Sequence, residues 1–125
     1  MASKLSSDQL VGILHDTVVS LVRRDGVDLS SRQLGVFLTC YLNEGGHTVR
    51  GLAQDLNVSK PAITRALDRL TELDFVRRKV DPADRRSVLV QRTVKGAAFL
   101  RETRHIMTDA LSAHKTEASS RRAVG

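Results

Sequence analysis

The hydrophobic pattern of this chain changes its period just after Phe75, and this change restricts the fold more than any other feature. Over residues 49–73 apolar side chains recur at helical spacing, in two runs separated by the short segment 57–59. Over residues 76–92 apolar and polar side chains alternate, as in half-buried strands, on either side of a turn-rich segment at 81–86. The sequence therefore predicts two short helices joined by a tight turn and followed at once by a β-hairpin.

The helical part of this stretch carries the local signals that helix ends require. Thr48 is the predicted N-cap of the first helix, residues 49–56, and Asn57 suits the left-handed conformation of a tight turn. Ser59 is the predicted N-cap of the second helix, with Pro61 in the first turn, where a missing N–H is tolerated. This second helix has one apolar face and one outward face that is polar and basic. The outward residues are Lys60, Thr64, Arg65, Asp68 and Arg69.

Helices are also predicted on both sides of this stretch. Residues 7–24 form a helix with Ser7 or Asp8 as its N-cap, residues 31–43 form another, and a long helix covers residues 93–118. The first helix is apolar around a wide arc and the last has two apolar rows, and a chain of 125 residues cannot bury both. We therefore expect these two helices to pair with a second copy of the chain in a two-fold symmetric homodimer.

The fold class expected from these elements is mainly α with a small antiparallel β-hairpin. We expect a single domain over residues 1–125. Its core is a winged helix-turn-helix lobe at 31–92, with the wing at 76–92, and dimerisation helices at 7–24 and 93–118 flank this lobe.

The basic residues are concentrated in one part of the chain. The formal net charge is +6, and residues 59–104 hold twelve Lys and Arg against six Asp and Glu, whereas the rest of the chain is close to neutral. A solvated surface is one interpretation of such a run. Sharp segregation favours a polyanionic partner, because clustered cations release counterions from phosphate-rich surfaces. The charge alone leaves DNA, RNA, an anionic membrane and an acidic protein open.

Metal sites, cofactors and disulfides are not expected. With Cys40 as the one cysteine, neither a disulfide framework nor a cysteine-rich zinc site can form. Cys40 could be a redox sensor, but no basic residue adjoins it in sequence to lower its pKa, so a structural thiol is the favoured interpretation. The histidines lack zinc-ligand spacings. They are His15, His47, His105 and His114.

Enzymatic and membrane functions are not expected either. The sequence contains no phosphate-binding loop, nucleophile motif or carboxylate pair, so we expect no enzyme. No secretory core or membrane-spanning segment is apparent, so we expect a cytoplasmic protein with no membrane partner.

A helix-turn-helix followed by a basic hairpin is typical of winged DNA-binding modules. An α-helix fits the major groove, where Lys60, Thr64 and Arg65 would meet base edges. The hairpin would reach sideways to the phosphate backbone or the minor groove, so the pattern favours double-stranded DNA as the partner.

The residues of this stretch resemble a known family. Segments 52–59, 64–70 and 75–78 resemble the DNA-binding lobe of MarR-type bacterial transcription regulators, and the segment 81–86, leading into 93–96, matches the most specific part of the family pattern. Two positions depart from that pattern. Gly51 stands where a capping-box Glu is common, and Asp74 stands where Gly usually precedes the wing.

The resemblance, close over residues 31–100, implies an obligate homodimer that binds a near-palindromic operator. It implies that the helix at 59–74 enters the major groove, that Arg86 reaches the minor groove, and that Asp84 holds Arg86 in place. The candidate DNA-binding residues are Ser59, Lys60, Pro61, Thr64, Arg65, Arg69, Asp84, Arg85 and Arg86.

Two functions follow as hypotheses. The first is a dimeric, sequence-specific transcription regulator that acts as a repressor and, as is common in this family, releases DNA when a small-molecule inducer binds. The second is a winged-helix scaffold for protein interaction, with weak or non-specific DNA binding. The outward basic face of the second helix and the basic wing favour the first hypothesis, because a scaffold needs neither.

Overall fold

The computed structural model describes residues 4–24 and 27–124, with side chains as far as Lys115. The described residues form five helices and one three-stranded sheet, which confirms the expected fold class. In chain order the elements are α1 Ser7–Arg23, α2 Ser31–Leu42, β1 His47–Thr48, α3 Val49–Leu56, α4 Lys60–Glu72, β2 Val76–Val80, β3 Val88–Arg92 and α5 Val94–Val124. The chain divides into two compact units, one of residues 29–100 and one that combines the two ends of the chain.

The helix-turn-helix of the 29–100 unit begins and ends where its local signals indicate. The Thr48 side chain accepts a hydrogen bond from the Gly51 N–H at 3.0 Å, and Ser59 accepts one from the Ala62 N–H at 3.2 Å. Between the helices Asn57 has a φ of 55°, in the left-handed region that Asn tolerates. The sequence predictions for these caps and for the turn are confirmed.

The sheet of this unit has one strand more than the predicted hairpin. β2 and β3 pair antiparallel, from Val76 opposite Arg92 to Val80 opposite Val88. The short β1 pairs with the other edge of β3, so the strand order is β1-β3-β2. A strand of two residues has no alternation to detect, and β1 was therefore not predictable from the hydrophobic pattern.

The core of the 29–100 unit joins aliphatic side chains from its helices to a cluster of rings. The cluster contains all four aromatic residues of the chain, which are Phe37, Tyr41, Phe75 and Phe99. Phe37 stacks on Tyr41 and Phe75 stacks on Phe99, each pair with ring centroids 4.5 Å apart. The fully buried aliphatic residues are Val36, Leu52, Ile63, Leu67, Leu70 and Val76. Because α4 and the base of the wing both pack on this core, it holds them in place relative to each other.

The unit at the chain ends contains α1 and the later part of α5. Its first helix is capped by Ser6, which forms a reciprocal capping box with Gln9, so the prediction of Ser7 or Asp8 as N-cap is wrong. The His114 Nε2 lies 2.9 Å from the Asp16 Oδ2. Five large apolar side chains of α1 are between 44% and 65% exposed in the single chain. They are Leu10, Val11, Leu14, Val18 and Val22.

Candidate nucleic-acid interface

The outward face of α4 presents exposed side chains opposite the buried core. Lys60, Pro61, Thr64 and Arg65 are all exposed, while Ile63 on the opposite side is fully buried. Within the part of the chain that the structure describes, neither Lys60 nor Arg65 has an ion-pair partner. Both cations are therefore available to an external acceptor such as a phosphate or a base edge.

Ser59 and Arg69, two further candidates, have structural contacts of their own. The Ser59 hydroxyl caps α4, although the residue itself is exposed. Arg69 is half-buried, and its Nη1 lies 3.2 Å from the Glu72 Oε2. The structure thus places Arg69 in an ion pair near the end of the helix, whereas Lys60 and Arg65 on the same helix are in no ion pair among the described residues.

The wing tip is a closed turn organised by acidic side chains. The Asp81 N–H donates to the Ser87 carbonyl at 2.9 Å, and the Ser87 N–H donates to the Asp84 carbonyl at 2.9 Å. The Asp81 side chain accepts a further bond from the Ala83 N–H at 2.9 Å. Arg85 and Arg86 are exposed at this tip, and among the described residues neither is in an ion pair.

Asp84 contacts the backbone of Arg86. Its Oδ1 accepts the Arg86 N–H at 3.1 Å, and its Oδ2 accepts the Ser87 hydroxyl at 3.1 Å. Asp84 therefore holds the peptide chain that carries Arg86 and leaves the Arg86 guanidinium exposed.

The base of the wing is held by a group of bonds that the sequence did not reveal. The Tyr41 hydroxyl donates to the Phe75 carbonyl at 2.6 Å and accepts the Thr93 N–H at 3.0 Å. Arg92 donates from its Nε to the Cys40 carbonyl at 3.0 Å and from its Nη2 to the Asn43 carbonyl at 3.1 Å. These partners lie 34 to 52 positions apart in the chain, so no local pattern could identify them.

Cys40 has no reactive character in this structure. The residue is 2% exposed, and burial raises the pKa of its thiol to about 11. The thiol is then protonated near neutral pH, which supports a structural role. No cluster of three metal-ligating side chains occurs within the described residues. Over the same residues, no helix has the length and apolar character needed to cross a membrane.

Comparisons with known proteins agree with this geometry. The sequence profile of the MarR family matches residues 29–88. An HTH-type transcriptional regulator of Mycobacterium tuberculosis is 31% identical over 102 residues, which are 82% of this chain and 71% of that protein. An equally similar relative, also described as an HTH-type transcriptional regulator, occurs in Mycobacterium leprae.

Solved structures show the same fold. The Staphylococcus aureus MepR–DNA complex has a TM-score of 0.68 at 17% identity, with 94% of this chain and 91% of that chain covered. A cysteine-substituted variant of Escherichia coli MarR in complex with operator DNA has a TM-score of 0.64 at 28% identity, with 89% of this chain and 75% of that chain covered. In both cases the protein of similar fold was captured on DNA.

Proposed function

The chain belongs to the MarR family of transcription regulators, and from this premise we propose that it is a homodimeric repressor that reads a near-palindromic operator. The observation that carries the proposal is the position of two sets of unpaired cations on one compact unit. Lys60 and Arg65 lie on the outward face of α4, while Arg85 and Arg86 lie on the wing tip. Such a surface supports base contacts from the helix and backbone or minor-groove contacts from the wing.

The two sets of cations have different roles in this proposal. Lys60, Thr64 and Arg65, on the outward face of α4, are positioned for base edges. Arg86 enters the minor groove, where a narrow, A·T-rich segment concentrates negative potential. Asp84 supports the turn that presents Arg86, and Ser59 and Pro61 set the direction in which α4 begins.

Dimerisation is supported by the exposed apolar face of α1. A contiguous set of large apolar side chains on one helix is typical of an interaction surface. Pairing of α1 and α5 with a second copy would cover this face and place two copies of α4 about 34 Å apart, or a small multiple of that spacing, to match successive turns of DNA. Sedimentation of the free protein tests this step, and a stable monomer at micromolar concentration would contradict it.

The proposed response to an inducer and the proposed cellular location rest on what is typical of the family. A small molecule that binds the dimer and favours a conformation unable to span the operator would release the DNA. Because a bacterial operator lies in the cytoplasm, we propose that location for the protein.

Selection of DNA fragments by the purified protein, followed by sequencing, tests the proposed function directly. We expect an enriched motif with two related half-sites. Its affinity should be compared with that of a scrambled duplex at two salt concentrations, since strong salt dependence with sequence preference separates specific binding from non-specific binding. Equal affinity for both duplexes would support the alternative of an interaction scaffold.

A further inference from the structure

The wing joins the rest of the DNA-binding unit beside Tyr41, and we propose that Tyr41 is a positioning residue for DNA binding. Its hydroxyl ties the ends of both wing strands to α2 and so sets where Arg86 meets the duplex. This inference rests on the proposed function, because it assigns a role within the same DNA-binding surface.

The first argument is the position of the two hydrogen-bond partners of the hydroxyl. Phe75, whose carbonyl accepts from Tyr41 at 2.6 Å, immediately precedes β2. Thr93, whose N–H donates to Tyr41 at 3.0 Å, immediately follows β3. One phenolic oxygen therefore connects the chain entering the wing to the chain leaving it.

A second set of hydrogen bonds stabilises the same base of the wing, which we call the joint and which comprises Tyr41, Asp74, Phe75, Thr93 and Gly96. The Thr93 Oγ1 donates to the Asp74 carbonyl at 2.7 Å and accepts the Gly96 N–H at 2.9 Å. Asp74 itself has a φ of 58°, so the chain turns sharply at this point, between α4 and β2. The end of α4, the wing and the start of α5 all meet within these few residues.

The neighbours of the Tyr41 side chain hold it in one position within this joint. Tyr41 is buried, its ring stacks on Phe37, and the Arg92 guanidinium lies 5.7 Å from the ring centroid. Gly96 packs so closely that a Cβ there would collide with the Tyr41 hydroxyl and with the Phe75 carbonyl. Because the hydroxyl is confined in this way, its two bonds fix a distance between α2 and the wing that other side chains cannot easily reproduce.

The hydrogen bonds at the base of the wing affect the position of the wing tip. Beyond the joint, β2 is exposed along its length after Val76, and the tip residues are exposed as well. The direction of the wing therefore depends on its base, and a small rotation at the base displaces Arg86 at the tip. Loss of the hydroxyl should weaken the contact made by Arg86 while leaving the outward face of α4 in place.

The test is a double-mutant cycle between Tyr41→Phe and Arg86→Ala on the selected operator. In the native background we expect Tyr41→Phe to lower affinity about three- to tenfold, the factor that corresponds to one ordinary hydrogen bond. It should also reduce the salt dependence by about one ion. In the Arg86→Ala background, Tyr41→Phe should cause little further loss, because the contact that it positions is already absent.

Thr39→Val is the matched control. Thr39 also lies on α2, and its hydroxyl donates to the Gly35 carbonyl at 2.7 Å, within the helix rather than to the wing. This variant loses a hydroxyl from the same element and should keep the native affinity and salt dependence.

A measurement on the free protein tests the joint without DNA. In Tyr41→Phe the amide hydrogens of Asp81, Ser87 and Thr93 should exchange faster with solvent, while those in the middle of α4 should keep their protection. If Tyr41→Phe fails to fold, Thr93→Val tests the same joint. Thr93→Ser, which retains the hydroxyl, should then restore both protection and affinity.

The outcomes separate this inference from the proposed function. Native affinity in Tyr41→Phe, or equal losses in both backgrounds of the cycle, would overturn the positioning role. A native protein that does not prefer its selected DNA over a scrambled duplex would overturn the proposed function. The exchange measurement would still decide whether Tyr41 holds the wing.

Discussion

The Arg78 Nη1 lies 2.7 Å from the Asp68 Oδ1 and thereby connects β2, the first wing strand, to α4. Asp68 is exposed on α4, so an unpaired carboxylate at this position would repel the phosphates of DNA bound to this face. An exposed pair of this kind contributes only about 0–1 kcal/mol to the free energy of unfolding. We expect its importance for DNA binding to be electrostatic, since Arg78 neutralises a negative charge on the surface that we propose to bind DNA.

Arg78→Gln should therefore weaken binding to all DNA sequences with little change in stability. The double variant Arg78→Gln with Asp68→Asn should recover most of the lost affinity, because it removes the carboxylate that was left unpaired. Titrations of one operator and one scrambled duplex measure both effects. Arg77→Gln is a suitable comparison, since the Arg77 Nε lies 3.7 Å from the Asp74 Oδ1 in a more exposed pair. A double variant as weak as Arg78→Gln alone would mean that Arg78 contacts phosphate directly.

Arg65→Ala and Arg86→Ala should have different effects on specificity. Arg65→Ala removes the proposed base contact, so we expect a loss of about 1–3 kcal/mol on the operator and a relaxed preference at one base position, which we expect to be a guanine. Loss of Arg86 should weaken binding to many sequences and lower the salt dependence by about one ion. Both variants should be titrated against the operator and a scrambled duplex at two salt concentrations. Equal losses for Arg65→Ala on both duplexes would show that α4 does not read sequence.

The negative charge of Asp84 and its hydrogen bond to the Arg86 N–H should have opposite effects on the affinity for DNA. Asp84→Ala removes the acceptor for the Arg86 N–H, which should loosen the wing tip and weaken DNA binding as a mild form of Arg86→Ala. Asp84→Asn keeps a side-chain oxygen for that bond and removes the negative charge, so it should bind DNA at least as tightly as the native protein. Affinities measured side by side on one operator decide the matter. Tighter binding by both variants would mean that Asp84 acts through its charge alone.

These predictions draw on features that the sequence revealed to different degrees. The bounds of α3, the left-handed Asn57 and the tolerance of Asp74 for positive φ were predictable, because caps and turns depend on neighbouring residues. The cap of α1 was misassigned since Ser6, Ser7 and Asp8 are all suitable cap residues, and only the reciprocal bond with Gln9 selects the first.

The features of the candidate site also differ in how far the sequence predicted them. The outward face of α4 follows from helical periodicity, and Lys60 and Arg65 are exposed as predicted. The ion pair of Arg69, the bond from Asp84 to the backbone and the role of Tyr41 depend on where side chains meet in three dimensions. Tyr41 and Thr93 are 52 positions apart, a separation over which sequence patterns carry no information about contact.

Burial of Cys40 predicts a DNA-binding activity that does not respond to mild peroxide. Because burial raises the pKa of the thiol to about 11 in the folded protein, the reactive thiolate is scarce near neutral pH. Iodoacetamide should alkylate the denatured protein readily and the native protein slowly. Since the pKa is raised on folding, Cys40 should also contribute stability that is lost as the pH rises from the unfolded value of 9.0 toward 11. Rapid native alkylation with loss of DNA binding would instead identify a redox sensor.

Because of the hydrogen bonds of Asp16, we expect the unit formed by the chain ends to lose stability at acidic pH. Hydrogen bonds from His15 at 3.0 Å and His114 at 2.9 Å hold the pKa of the Asp16 carboxyl below its usual value of 3.8. Because the folded pKa is the lower one, this stabilisation is present above the unfolded pKa and is lost as the pH falls through the folded pKa. Asp16→Asn should therefore reduce stability at neutral pH and flatten its dependence on pH below about 4.

The measurement for Asp16 is thermal unfolding, followed by helical circular dichroism over an acidic series of buffers. Asp109→Asn is the matched control, since Asp109 is an exposed carboxyl on α5 in the same unit. It should preserve the acid sensitivity of the native protein. Sedimentation at each pH shows whether the loss of the Asp16 bonds also weakens the proposed dimer, whose helices include both Asp16 and His114. An Asp16→Asn variant with the same acid response as the native protein would mean that these bonds do not stabilise the unit.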